Sequence, residues 1–182
     1  MRITGGTYRG RQLAAPRDQR VRPTSNRTRQ AIFNMLRHKD FGIGFALEGA
    51  RVLDLFAGTG ALGIEALSRG AASCLFVEQD GAALDALKAN LAKLGTRGDV
   101  RSGSVMALGP ARAPLDLIMM DPPYGTGAGL VALDKLARLG WTNAATWVSI
   151  ETARDEAVEV AGFAIDTSRV HGKARVTLLR AA

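Results

Sequence analysis

Residues 51–63 read RVLDLFAGTGALG, and this stretch decides the fold. Positions 52–56 form a short apolar run with one acid, Asp54, set inside it. The run breaks into Ala57, Gly58, Thr59 and Gly60, then resumes with helical spacing. That pattern predicts a buried strand, a tight turn and a helix start. Glycine lets the backbone approach a ligand closely, and a new helix offers N–H groups that have no partner within it.

Downstream of this turn, strand and helix patterns alternate. Apolar strands are expected at residues 73–78, 100–103, 115–120 and 146–150. Helices are expected at 61–69, 80–94 and 129–139, stopped by Gly70, Gly95 and Gly140. The middle helix carries Leu84, Leu87, Leu91 and Leu94 at three- and four-residue spacing. Strands that read as continuous apolar runs between helices predict an α/β fold with a parallel sheet covered on both faces. After Glu151 the pattern changes: residues 163–170 and 174–180 flank His171-Gly172-Lys173 as a closing antiparallel hairpin. Upstream, residues 1–15 read as a small hairpin and 16–23 as a polar connector. Thr24 or Ser25 can cap a helix running to about residue 39. Ala31, Ile32, Met35 and Leu36 form its apolar stripe, with Arg27, Arg29 and Arg37 facing elsewhere. Residues 42–49 read as a linker. The expected division is a basic extension over 1–45 and a catalytic domain over 46–182.

Charge separates the same two parts. Residues 1–40 hold ten Lys and Arg, nine of them Arg, against Asp18 and Asp40. The remaining 142 residues carry fourteen basic groups against fifteen acids. A polycationic segment on a neutral body points to an anionic partner, foremost nucleic acid. A GC-rich genome that merely inflated arginine would spread it along the chain. No run approaches the ~18 apolar residues of a membrane span, so a cytoplasmic, soluble protein without membrane partners is expected. The single cysteine, Cys74, excludes an internal disulfide and a cysteine-built metal cluster, and no metal is expected. Cys74 opens an apolar strand and reads as core.

Gly58, Gly60 and Gly63 fit the spacing of a dinucleotide-binding loop, with Glu78 eighteen residues beyond Gly60. Any nucleoside cofactor can use that geometry. Asp54 beside the loop would repel a pyrophosphate and suits a cofactor bearing an ammonium and a sulfonium, namely S-adenosyl-L-methionine. Asp54 can equally brace the loop's own N–H groups, and both roles can coexist. Phe56, Ala57, Gly58, Gly60, Glu78 and Gln79 form the expected cofactor cradle, with Glu78 on the ribose hydroxyls. Asp80 is either its substitute or the cap of the next helix.

The second half of the site is residues 116–124, DLIMMDPPY. A buried strand ends there in an acid, two prolines and an aromatic, at the edge where parallel sheets bind ligands. Proline fixes φ and lacks an N–H, so Pro122 and Pro123 form a stiff corner. An exocyclic amino group is a poor nucleophile because its lone pair is delocalised into the ring. The Asp121 carboxylate and the Pro122 carbonyl can accept its two hydrogens, and Tyr124 can stack on an extruded base.

These two motifs together resemble the class I S-adenosylmethionine-dependent amino-methyltransferases of nucleic acids. Further stretches narrow the resemblance: RITGG at 2–6, RGR at 9–11, RPT at 22–24, AIFN at 31–34, and LDLFAGTGALG continuing through EALSRG at 65–70. With them the chain is similar to the bacterial 16S rRNA guanine-N2 methyltransferase (RsmD-like) family. The resemblance implies a seven-stranded, Rossmann-like methyltransferase sheet, bound S-adenosylmethionine and methylation of one guanine amino group in 16S rRNA. The RNA within a small-subunit assembly particle is the implied partner, with a monomeric enzyme. Arg9, Arg11, Arg22, Thr24, Arg27 and Arg29 are the expected RNA contacts. Ser104 stands where the family tends to carry an acid or asparagine, leaving Ser104, Val105 or Met106 to read the adenine. Asn26 and Gln30 replace acids common in the family, and Leu178-Leu179 lacks an aromatic often seen nearby. The alternatives are an adenine-N6 or cytosine-N4 amino-methyltransferase of DNA or RNA and, further off, a dinucleotide-dependent oxidoreductase, which would give residues 121–124 no role.

Overall fold

The computed structural model describes residues 1–16, 24–38 and 46–182. Helix α1 (Asn26–His38) precedes an alternating series: β1 (Arg51–Leu55), α2 (Ala61–Ser68), β2 (Ser73–Glu78), α3 (Gly81–Leu94) and β3 (Asp99–Ser102). Then follow β4 (Leu117–Met120), α4 (Ala128–Arg138), β5 (Trp147–Ala153), β6 (Phe163–His171) and β7 (Ala174–Ala181). The seven strands form one sheet in the order β3-β2-β1-β4-β5-β7-β6. The first five are parallel, whereas β7 is antiparallel to β5 and to β6. The α/β reading and the antiparallel C-terminal hairpin hold, with element ends displaced by a few residues.

Alternation along β1 divides its side chains between two hydrophobic cores. Val52 joins Ile32, Phe33, Phe76, Leu87 and Leu91 on one face of the sheet. Leu53 and Leu55 join Ile118, Leu133, Leu136 and Ile150 on the other. Both sets are apolar because helices cover both faces, which is why the strands read as unbroken apolar runs.

The caps follow residue chemistry. Ser25 Oγ accepts the Thr28 N–H at 3.0 Å, so Ser25 starts α1. Asp80 Oδ1 accepts the Ala83 N–H at 2.9 Å, so Asp80 is the cap of α3. The expected N-terminal hairpin forms as a short one: the antiparallel Arg2↔Gln12 bridge is flanked by backbone bonds from Ile3 N–H to the Arg11 carbonyl at 3.0 Å, from Gly10 N–H to the Ile3 carbonyl at 2.9 Å and from Leu13 N–H to the Met1 carbonyl at 2.9 Å. Its backbone also finds partners on the body: Thr7 N–H donates to the Ser68 carbonyl at 2.7 Å, and Ala14 N–H to Asn90 Oδ1 at 2.7 Å. Ile3 and Leu13 are buried in the same core as Val52. The described N-terminal residues are thus packed into the body. The expected boundary near residue 45, and most of the two connectors, lie outside the described residues.

Candidate active site

Register sets four strand residues in a row. Val77, Leu55, Met120 and Ile150 are lateral partners across β2, β1, β4 and β5. One residue further along each parallel strand stand Glu78, Phe56, Asp121 and Glu151. The sheet's order reverses between β1 and β4, and at such a switch point the loops diverge and open a crevice. A cleft of about 1130 Å³ occupies this edge, lined by the 56–59 loop, Glu78, the 103–106 segment, residues 121–124, Glu151 and the 170–174 turn.

The loop after β1 is held from below. Asp54, 1% exposed, accepts the Gly63 N–H at 2.8 Å. Burial pushes its carboxyl well above the usual range; the Gly63 N–H opposes this, while Asp121 and Glu78 add to it. Of its two expected roles, bracing the loop is the one with a contact. Glu78 also serves the backbone: Oε2 accepts from Gly58 N–H at 2.7 Å, and Oε1 from the Gln79 and Asp80 N–H groups at 2.8 Å each. Phe56 takes φ 60, a conformation uncommon for a bulky residue, as the chain turns out of the strand.

The glycines divide into two kinds. A Cβ on Gly63 would collide with Phe76 and Cys74, and one on Gly60 with Leu87. These two let α2 sit close against β2 and α3. A Cβ on Gly58 would meet nothing within 4 Å, so its backbone borders open cleft. The cradle fits S-adenosylmethionine on these grounds. It offers close backbone, carboxylates rather than cations, and one unused lone pair on Glu78 Oε2 for a ribose hydroxyl.

Asp121 stands at the other side of the cleft. Its carboxyl is pushed up to about 7, chiefly by burial and then by the charge of Glu151, with a hydrogen bond from Thr24 opposing. Thr24 Oγ1 donates to Asp121 Oδ2. Tyr124 Oη donates to Glu151 Oε1. Tyr124 is 38% exposed and lines the cleft. Pro122 is buried and Pro123 exposed, and the Pro123 carbonyl accepts from Thr126 Oγ1 at 2.8 Å.

Several expected assignments change. Arg29 does not face a phosphate: its side chain is fully buried and pairs with Glu65, Nε to Oε2 at 3.1 Å. Burial draws its guanidinium below the ordinary value, and Glu65 pulls it back up. An apolar helix stripe next to an apolar body leaves that position no route to solvent. Thr24 is buried and lines the cleft with its hydroxyl on Asp121, so it faces the site itself. Arg9, Arg11 and Arg27 are exposed as expected, and Arg27 also borders the cleft. Arg22 lies outside the described residues. Ser104 Oγ accepts the Met106 N–H at 3.1 Å and so caps a single 3-10 turn over Val105–Ala107. Ser104, Val105 and Met106 all line the cleft, as does Gln79. Glu151 was not anticipated. An acid one step beyond an apolar strand, at the same edge as Asp121, was the signal that could have found it.

Comparison with known proteins gives a consistent set of relatives. The model of the family described as Conserved hypothetical protein 95 matches residues 1–180. "Ribosomal RNA small subunit methyltransferase D" of Escherichia coli strain K12 is 38% identical over 143 residues, which span 78% of this chain and 69% of that protein. The protein of the same name from Haemophilus influenzae is 31% identical over 162 residues, 86% of this chain and 80% of its own. The solved structure of Escherichia coli yhhF superposes with a TM-score of 0.85 at 31% identity, covering 100% of this chain and 97% of that one.

Proposed function

The chain belongs to the family described as Conserved hypothetical protein 95, and from that premise we propose that it is an rRNA methyltransferase. It transfers a methyl group from S-adenosylmethionine to the N2 amino group of one guanine in 16S rRNA. The observation that carries this reading is the row formed by Glu78, Phe56, Asp121 and Glu151 across the sheet. A carboxylate-lined glycine cradle and the Asp121-Pro122-Pro123-Tyr124 corner open on one cleft. The names of the relatives support rRNA as the substrate class.

When bound, S-adenosylmethionine supplies an electrophilic methyl group on a sulfonium. The chain's own residues do the rest. The loop at 56–60 and Glu78 hold the nucleoside end. Tyr124 stacks on the base. Asp121 accepts one amino hydrogen and the Pro122 carbonyl the other, which localises the nitrogen lone pair and directs it at the methyl carbon. The amino nitrogen, in giving up its lone pair to the methyl group, would take on positive charge. The Asp121 carboxylate stabilises that charge and takes the departing proton. Removing one such fixed partner costs about 3–4 kcal/mol, a rate factor of hundreds or more.

The exposed arginines Arg9, Arg11 and Arg27 supply the phosphate contacts that hold the RNA. The enzyme acts as a monomer in the cytoplasm on the RNA of a small-subunit particle. Among the described residues no helix is long and apolar enough to cross a membrane. The test is labelled-methyl transfer to small-subunit particles, and to their free rRNA, from a strain lacking the enzyme, followed by nucleoside analysis. N2-methylguanosine is expected; methyladenosine or methylcytidine would overturn the guanine assignment.

A further inference from the structure

β4 and β5 are parallel neighbours with Met120 opposite Ile150, so Asp121, just past the end of β4, and Glu151, still within β5, stand side by side. Glu151 is 4% exposed, yet it lines the cleft together with Asp121 and Tyr124. Placing a second carboxylate beside a buried one is costly, because each loses water and the two repel. The charge of Glu151 raises the carboxyl of Asp121. Two adjacent acceptors are matched by a ligand that brings two adjacent donors.

The pairing edges of the bases differ on this point. Guanine presents its N2 amino group next to N1–H, two donors in a row. In adenine and cytosine the ring nitrogen beside the amino group carries a lone pair and accepts. A carboxylate set against that lone pair would lose its hydrogen bond and meet repulsion. A site built around a polar contact rejects analogues that cannot make it far more strongly than an apolar pocket does. Tyr124 Oη holds one oxygen of Glu151, fixing the carboxylate at the edge of the sheet.

We propose that Glu151 selects guanine: its carboxylate accepts N1–H of the target base while Asp121 accepts a hydrogen of the neighbouring amino group. This rests on the guanine-N2 reading and adds the residue that enforces it. Asp121 serves any exocyclic amino group, and Glu151 restricts the enzyme to one kind.

The experiment compares two RNAs that differ at one base. The wild-type enzyme first maps the methylated guanine. Semisynthetic 16S rRNA then carries either guanine or 2-aminopurine there, the latter keeping the amino group but presenting a bare N1. Wild type is expected to prefer guanine in kcat/KM by about 10²-fold or more. In Glu151→Gln the carboxamide can donate to a bare N1, so this preference should fall at least about tenfold, with S-adenosylmethionine affinity by calorimetry close to wild type. Tyr124→Phe and Glu151→Asp both leave a carboxylate in place and should keep the preference while lowering the rate. An unchanged preference in Glu151→Gln overturns the proposal. So does its equal collapse in Tyr124→Phe, which would make Glu151 only a support for Tyr124. Should Glu151→Gln lose cofactor binding, Glu151→Asp decides alone, and loss of the preference there overturns the proposal. A wild-type product on another base removes the guanine-N2 reading itself, an outcome visible before any variant is made.

Discussion

Arg29 on α1 and Glu65 on α2 form an ion pair in which both side chains are completely buried. Glu65 also accepts from Thr4 N–H at 3.0 Å, from Thr4 Oγ1 at 2.7 Å and from Arg69 Nε at 3.0 Å. Arg29 reaches the Arg2 carbonyl and, at 2.9 Å, Asn26 Oδ1. One carboxylate thereby ties the N-terminal segment to the helix that follows the glycine loop. Glu65→Ala leaves a buried cation uncompensated and is expected to cost about 3–5 kcal/mol in urea unfolding. An Arg29→Met, Glu65→Leu double variant should lose less than the sum of its single changes.

Arg29 and the exposed arginines should therefore separate in binding assays. Neutralising Arg9, Arg11 and Arg27 is expected to weaken RNA binding and reduce the log–log salt slope by about 0.7–0.9 per lost phosphate contact. Arg29→Met should lower stability instead. A slope unchanged by the triple variant would place the RNA on another face.

Asp121 makes activity and stability move in opposite directions with pH. Its carboxyl is raised from 3.8 to about 7, so the acceptor form needed for catalysis accumulates as pH rises through about 7, and kcat/KM should climb over that range. For stability, the folded state holds this proton more tightly than the unfolded state does. Its contribution to stability is thus greatest in acid, declines as pH rises from about 4 to about 7, and is flat above. Asp121→Asn should abolish turnover, raise Tm at pH about 8 and leave Tm little changed near pH 4. A lower Tm at pH 8 would contradict this sign.

The two kinds of glycine predict two phenotypes. Gly63→Ala forces a methyl into Phe76 and Cys74 and should cost about 1–3 kcal/mol or more in stability. Gly58→Ala meets no atoms but must hold φ 57, about 1–2 kcal/mol of backbone strain, with a methyl facing the cleft. Its main effect should be weaker S-adenosylmethionine binding by calorimetry.

The sheet was legible because its strands are buried on both faces and glycines punctuate the connections. Residues 51–63 were legible because an apolar run stops at glycines, and residues 116–124 because one ends in an acid and two prolines. Lateral register was not legible. Nothing local to Glu151 states that it stands beside Asp121, since that follows from pairing between β4 and β5. Arg29 misled for a related reason. An arginine on an amphipathic helix reads as solvated, and only the position of Glu65, thirty-six residues later, puts it in the core. Asp54 and Glu78 were placed correctly at the loop, yet their hydrogen bonds run to backbone N–H groups that sequence spacing does not reveal.

The contacts of the N-terminal segment bear on the order in which the chain is secured during synthesis. Thr4 waits for Glu65, sixty-one residues later, and Ala14 waits for Asn90, seventy-six residues later. The described N-terminal residues are therefore fastened only once α2 and α3 have been synthesised. Closure of these long-range contacts then seals the Arg29 guanidinium against Glu65, so the burial of that charge is a late event in assembly of the fold.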